Sequence, residues 1–284
     1  MTILSKATRA VVLGALLAPA LPAQAIRNTA TFTLSTLARN DDGSTGRVNT
    51  GFTFNLFGLT QNNLFVNNNG NVTFTQALAT YTPDPIAGGG LAILAPFWAD
   101  VDTSNPASGV TQYGTGVLGG RNAFAVNWFD VGYYSSRVDL RNTFQLIMID
   151  RSDTGAGNFD FEFNYAKIQW DTGEASDGVN GLCPAAPQPR TPARVGWANG
   201  GTTTVELAGS NVCGAFLDGG VNSLIGRSLN SEVLGRYVWN VRNGVVQPPP
   251  PQPGVVPEPA TYALMGTGLI GLVVISRRRR SSLS

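Results

Sequence analysis

A chain of 284 residues is long enough for one large or two modest domains with a real core. Only 13% of it is charged and it contains no histidine, which removes Ser-His-Asp and Cys-His catalysis, His-ligated zinc and a histidine general base. The net charge of +1 comes from the ends: between Ile26 and Gly254, 13 cationic side chains stand against 17 anionic ones, a net −4 that argues against nucleic acid as a partner.

The N-terminus reads MTILSKATRAVVLGALLAPALPAQA. Lys6 and Arg9 form a basic leader, Ala10 to Ala18 an apolar run too short to span a membrane comfortably, and Ala23-Gln24-Ala25 a small-residue cleavage site. Residues 1–25 therefore read as a signal peptide cut after Ala25.

From Ile26 to Val246 the hydrophobic period is two rather than 3.6. In Thr50–Phe57, Phe52, Phe54 and Leu56 point one way while Thr53 and Asn55 point the other. Leu64–Val66 and Val72–Phe74 flank Asn67-Asn68-Asn69-Gly70, whose Asn-Gly step is a hairpin signal. Further strands are expected at Leu91–Trp98, Val110–Tyr113, Asn122–Phe129, Thr143–Ile149, Asn158–Tyr165, Ala193–Ala198, Thr202–Leu207 and Arg236–Val241. Each is short and bounded by Gly, Asn, Asp or Pro. The expectation is an all-β fold, an antiparallel β-sandwich of about ten short strands over residues 26–246. The only cysteines, Cys183 and Cys213, lie 30 residues apart. In an exported chain they read as a structural disulfide, worth about 3–4 kcal/mol by loop closure.

A proline-rich linker follows at 247–256, and Pro257-Glu258-Pro259 precedes an apolar run at 260–276 and the arginines 277–280. Seventeen helical residues would cover about 25 Å, marginal against a hydrocarbon core of about 30 Å. The expectation is a single transmembrane helix with its arginines kept cytoplasmic. The order of Pro-Glu-Pro, short apolar run and Arg cluster over 257–284 resembles the PEP-CTERM sorting signal. That resemblance implies processing by an exosortase, transient inner-membrane anchoring, and release to the surface or matrix of a Gram-negative bacterium, commonly alongside exopolysaccharide and biofilm formation.

The body also carries a resemblance. Leu64 to Phe74 (LFVNNNGNVTF), Ala95 to Asp102 (APFWADVD), Asn142 to Leu146, Phe161 to Tyr165, Ile168 to Trp170 and Ala193 to Trp197 resemble, in that order, the nidogen-like (NIDO) extracellular domain over roughly residues 48–242. The resemblance implies an extracellular-matrix or adhesion protein without catalytic residues.

Asp100 and Asp102, in ILAPFWADVDTS, are the candidate chemistry. On an extended chain they share a side with Cα atoms about 6.5–7 Å apart. Glycosidase carboxylates stand at comparable separations, but they flank the sugar from opposite faces, which neighbours on one strand do not. Calcium through Asp100, Asp102 and Asn105 is the better functional alternative, although the run lacks EF-hand spacing. Structurally, the segment reads as a strand running into a turn, with Asp100 accepting backbone N–H groups. Asp41-Asp42-Gly43 reads as an ordinary turn, and Glu162, alternating with Phe161 and Phe163, as part of a solvated strand face. The five tryptophans read mostly as core, and Tyr133-Tyr134 as the better surface aromatics. These readings give a non-enzymatic exported protein whose partners are an exosortase, exopolysaccharide or surface proteins. The alternative is a carbohydrate-binding or glycan-processing secreted protein.

Overall fold

The computed structural model describes residues 24–248. Fourteen strands run in chain order: β1 Thr33–Thr36, β2 Val48–Leu56, β3 Leu59–Asn67, β4 Asn71–Thr73, β5 Ala92–Trp98, β6 Val101–Asp102, β7 Thr111–Leu118, β8 Arg121–Tyr133, β9 Arg137–Asp150, β10 Phe159–Lys167, β11 Arg194–Asn199, β12 Thr204–Glu206, β13 Arg236–Arg242 and β14 Val245–Val246. They form two antiparallel sheets, one ordered β1-β7-β8-β9-β10-β13-β14 with β6 beside β8, the other β12-β11-β5-β4-β3-β2. Every expected strand is present. The additional ones, β1, β6 and β14, are two to four residues long, too short for alternation to reveal.

The inward faces follow the period-two pattern. Phe52, Phe54 and Leu56 of β2 meet Phe159, Phe161 and Phe163 of β10 in one core, with Trp128 stacked on Phe144 at 5.1 Å between ring centroids. Phe97 of β5 reaches across the sheets to pack edge-on against Trp170 and beside Phe144. All five tryptophans are buried, none more than 5% exposed.

The outward faces depart from expectation at two places. Glu162 is buried, because the segment after Ala25 lies over the second face of β10. There Arg27 clasps both Glu162 oxygens, at 2.8 and 2.6 Å, and its backbone N–H donates to Gln145. Arg236, at the start of β13, stands 3.9 Å from the same carboxylate and donates to the carbonyls of Gln24 and Ala25. Tyr133 is likewise buried, its ring tilted against Trp170 and its hydroxyl donating to Asp139, whereas Tyr134 is exposed. Irregular register between β8 and β9 near Val131 and Tyr133 hides this from simple alternation.

Cys183 and Cys213 are joined in a disulfide. It closes a loop that carries β11 and β12 and joins the connections on either side of them, with the Asp171 carboxylate accepting from the N–H of Gly214. Among the described residues, no helix is long and apolar enough to cross a membrane. The expected spanning run 260–276, the Pro-Glu-Pro motif and most of the signal peptide lie outside the described residues.

Candidate functional site

The Asn67-Asn68-Asn69-Gly70 hairpin between β3 and β4 is a buried hub rather than an exposed tip. Gly70 has φ +73°, and a Cβ there would stand 1.8 Å from the Phe97 carbonyl, so only glycine fits. The three asparagines hold neighbouring backbone instead of solvent. Asn68 donates through its amide to the carbonyls of Asn40, Asp41 and Val101, and its backbone N–H donates to Gly43. Its backbone carbonyl accepts from the Trp128 indole at 3.0 Å. Asn69 donates to the Asp42 carboxylate at 2.8 Å. The loop of residues 40–45 is thereby stitched onto the hairpin.

That stitching brings Asp41 and Asp42 to Asp100, which sits between β5 and β6. One oxygen from each of the three carboxylates lies within 4.8 Å of the others. Asp100 is 1% exposed, and neither of its side-chain oxygens has a hydrogen-bond partner. Asp41 Oδ1 and Asn69 Oδ1 are also buried without partners. Gly173 closes one wall, since a Cβ there would stand 2.8 Å from both Cβ and Oδ2 of Asp100. Glu174 follows it, with Oε2 buried and unpartnered.

The electrostatics follow from this crowding. Burial, and then the charges of Asp41, Asp42, Asp102 and Glu174, push the Asp100 carboxyl up to about 8. Burial followed by Asp102 and Asp42 pushes Asp41 up to about 6. Five enclosed oxygens without donors, crowded among acids, are an arrangement that recruits a cation or a proton.

The residues expected to carry the chemistry thus divide. Asp100 lies in the cluster. Asp102 contributes its field, but its oxygens accept from the backbone N–H groups of Ser104, at 2.7 Å, and Ser136, at 2.6 Å. Asn105 faces away and caps its own turn, accepting from Ala107. The backbone-accepting role expected of Asp100 belongs to Asp102. Asp41 and Asp42 were the residues that local reading passed over, because an Asp-Asp-Gly turn carries no mark of the distant strand it meets. The buried asparagine triplet was the available signal, since polar side chains in a tight hairpin need partners from elsewhere.

Comparisons with known proteins bear on the chain as a whole. The model of NIDO-related domains matches residues 23–186. The chain belongs to the NIDO-related family. The PEP-CTERM protein-sorting motif matches residues 255–280. Among curated proteins, alpha-tectorin of Mus musculus and of Homo sapiens are each 33% identical over 161 residues, and that of Gallus gallus is 31% identical over 160. These alignments cover 49% of this chain and only 7% of each tectorin. No solved structure matches. The NIDO-related match stops within the loop bearing Cys183, yet β11 pairs with β5 and β13 with β10, so both sheets of this NIDO-related protein draw strands from beyond the matched stretch. Together the NIDO-related domain and the sorting motif mark an exported surface protein, and the motif implies processing by an exosortase.

Proposed function

We propose that this protein is a non-catalytic structural component of the bacterial cell surface or extracellular matrix, serving adhesion or biofilm assembly. The observation that carries the reading is the succession of a NIDO-related domain and a PEP-CTERM motif in one chain. In this reading the tail holds the protein transiently at the inner membrane of a Gram-negative cell. The exosortase then cuts near Pro257-Glu258-Pro259, and the released body engages exopolysaccharide or other surface proteins. Two features of the body support a structural role. Its five tryptophans are packed inside rather than presented as stacking rings, although Tyr134 stays exposed. Its two most prominent enclosed acids are committed locally, Asp100 against Asp41 and Asp42 and Glu162 to Arg27.

Mass spectrometry of the protein at its final location tests the sorting step. The expected product lacks Arg277–Arg280, and a variant with Pro257, Glu258 and Pro259 all replaced by alanine stays in the inner-membrane fraction with its tail intact. A surface-located protein that retains the arginines contradicts it. Binding of the purified body to the producer's own exopolysaccharide and surface proteins tests the adhesive role, and failure to bind either removes its basis.

A further inference from the structure

We propose that Asp41, Asp42, Asp100 and the side-chain oxygen of Asn69 bind one divalent cation, calcium by their donor chemistry, which pins the 40–45 loop to the β3–β4 hairpin and the β5–β6 junction. Three observations carry the assignment independently of where the protein ends up.

The first is spacing. Three carboxylate oxygens within 4.8 Å of one another fit around an ion whose ligand distances are about 2.3–2.6 Å, since opposite ligands of calcium stand about 4.6–5.2 Å apart. Magnesium, at about 2.0–2.1 Å, demands a tighter octahedron and gives up its own water reluctantly. All the donors are hard oxygens, and no nitrogen or sulfur ligand is available to favour a transition metal.

The second is the unused bonding capacity of enclosed groups. Asp100 and Asn69 are each 1% exposed. Both Asp100 oxygens and Asn69 Oδ1 lack partners, although the surrounding hairpin is otherwise densely hydrogen-bonded. The Asn69 amide donates to Asp42 at 2.8 Å, so its side chain lies against one of the three carboxylates. Buried acceptors without donors are rare and costly, and a cation supplies all of them at once.

The third is the sign of the surroundings. The charges that act most strongly on Asp100 are themselves acidic, namely Asp41, Asp42, Asp102 and Glu174. The nearby guanidinium of Arg137 is spent on Asp139 and Glu174. Asp102 stays outside the coordination shell, because its oxygens are taken by the Ser104 and Ser136 backbone.

Calorimetric titration of the EDTA-treated full-length exported protein with calcium chloride, paired with thermal melts, tests the proposal. The expected result is one calcium per chain, with an affinity at or above the roughly 10⁻⁴–10⁻³ M typical of extracellular modules, and a higher melting temperature when calcium is present. Asp100→Asn and Asp42→Asn should each weaken binding at least tenfold, Asp102→Asn only a few-fold, and the exposed control Asp153→Asn not at all. Asp100→Asn should also melt higher than the wild type in EDTA, because it removes an enclosed unpaired charge. A purely structural Asp100 would make the same variant melt lower with and without calcium. Should Asp100→Asn fail to fold, the more accessible Asp42→Asn carries the test. Absence of calcium binding at millimolar concentration, or unchanged binding in both variants, overturns the site. Magnesium binding as tight as calcium overturns the assignment of the ion.

Discussion

Glu162 and Asp100 are both enclosed, and the chain treats them in opposite ways. Glu162, on β10, is met by the Arg27 guanidinium through two short bonds, by Asn164 at 3.2 Å and by Arg236 at 3.9 Å. Asp100, between β5 and β6, meets only other acids and a wall of backbone at Gly173. One charge is neutralised from within the sequence; the other is left for something outside it. An ion pair supplied by the chain fixes one geometry permanently, whereas a vacancy of positive charge makes local order conditional on the medium. The N-terminal segment is therefore held by the chain's own charges, whereas in the proposed site a cation adds a further tie to a 40–45 loop already hydrogen-bonded to the hairpin.

The largest way to disturb this contrast is to remove the disulfide. Replacing Cys183 and Cys213 by alanine should cost about 3–4 kcal/mol in denaturant unfolding. The bridge stands behind Asp171 and Thr172, whose N–H groups donate to Gly181, and hence behind the Gly173 wall against Asp100. The same variant should therefore lose much of its calcium-dependent melting shift while leaving the Glu162 clasp intact. If the shift persists in full, the wall is not what shapes the site.

Next in size is the clasp itself. Glu162→Ala should destabilise by about 2–3 kcal/mol, less than a fully enclosed pair because the Arg27 side chain is 32% exposed. Equilibrium unfolding in EDTA measures it, and calcium should leave the loss unchanged. A loss below about 0.5 kcal/mol would show that the clasp is worth no more than a surface pair.

The smallest effect belongs to a third acid, exposed Asp130, held by Arg141 at 2.6 Å and Lys167 at 2.5 Å. The Lys167 hydrogen bond, with Arg141 assisting, holds its carboxyl below the ordinary 3.8. Because the folded value is depressed, its contribution is present above the ordinary carboxylate range and fades as pH falls through the lowered value. Asp130→Asn should cost less than about 1 kcal/mol at neutral pH, and the difference from wild type should vanish as pH falls below the lowered value. A difference that grows on acidification would contradict the pairing.

Much of this architecture was legible in the residues. Alternation placed the strands of both sheets, because each buries one row of side chains. The APFWADVD run marks the β5–β6 junction, where Asp100 meets the two upstream acids. Alternation names a side of a strand, however, and not what covers it. Glu162 was misread as solvated because its cover is the distant segment around Arg27. The carboxylates completing the cluster lie far upstream of Asp100, joined to it through the asparagine hairpin, and no local spacing rule connects them. Tyr133 was missed for a related reason, a register shift between β8 and β9 that turns its ring inward.

The Arg236 guanidinium has a consequence for how the protein is handled on its way out. It holds the carbonyls of Gln24 and Ala25 at the start of β13, while Gln247 returns beside Asn240 on the same strand. Four strand residues separate these two points, about 13 Å. Among the described residues the chain thus enters and leaves the fold on one rim, so whatever holds the protein near residue 24 or near residue 247 meets the same side of it.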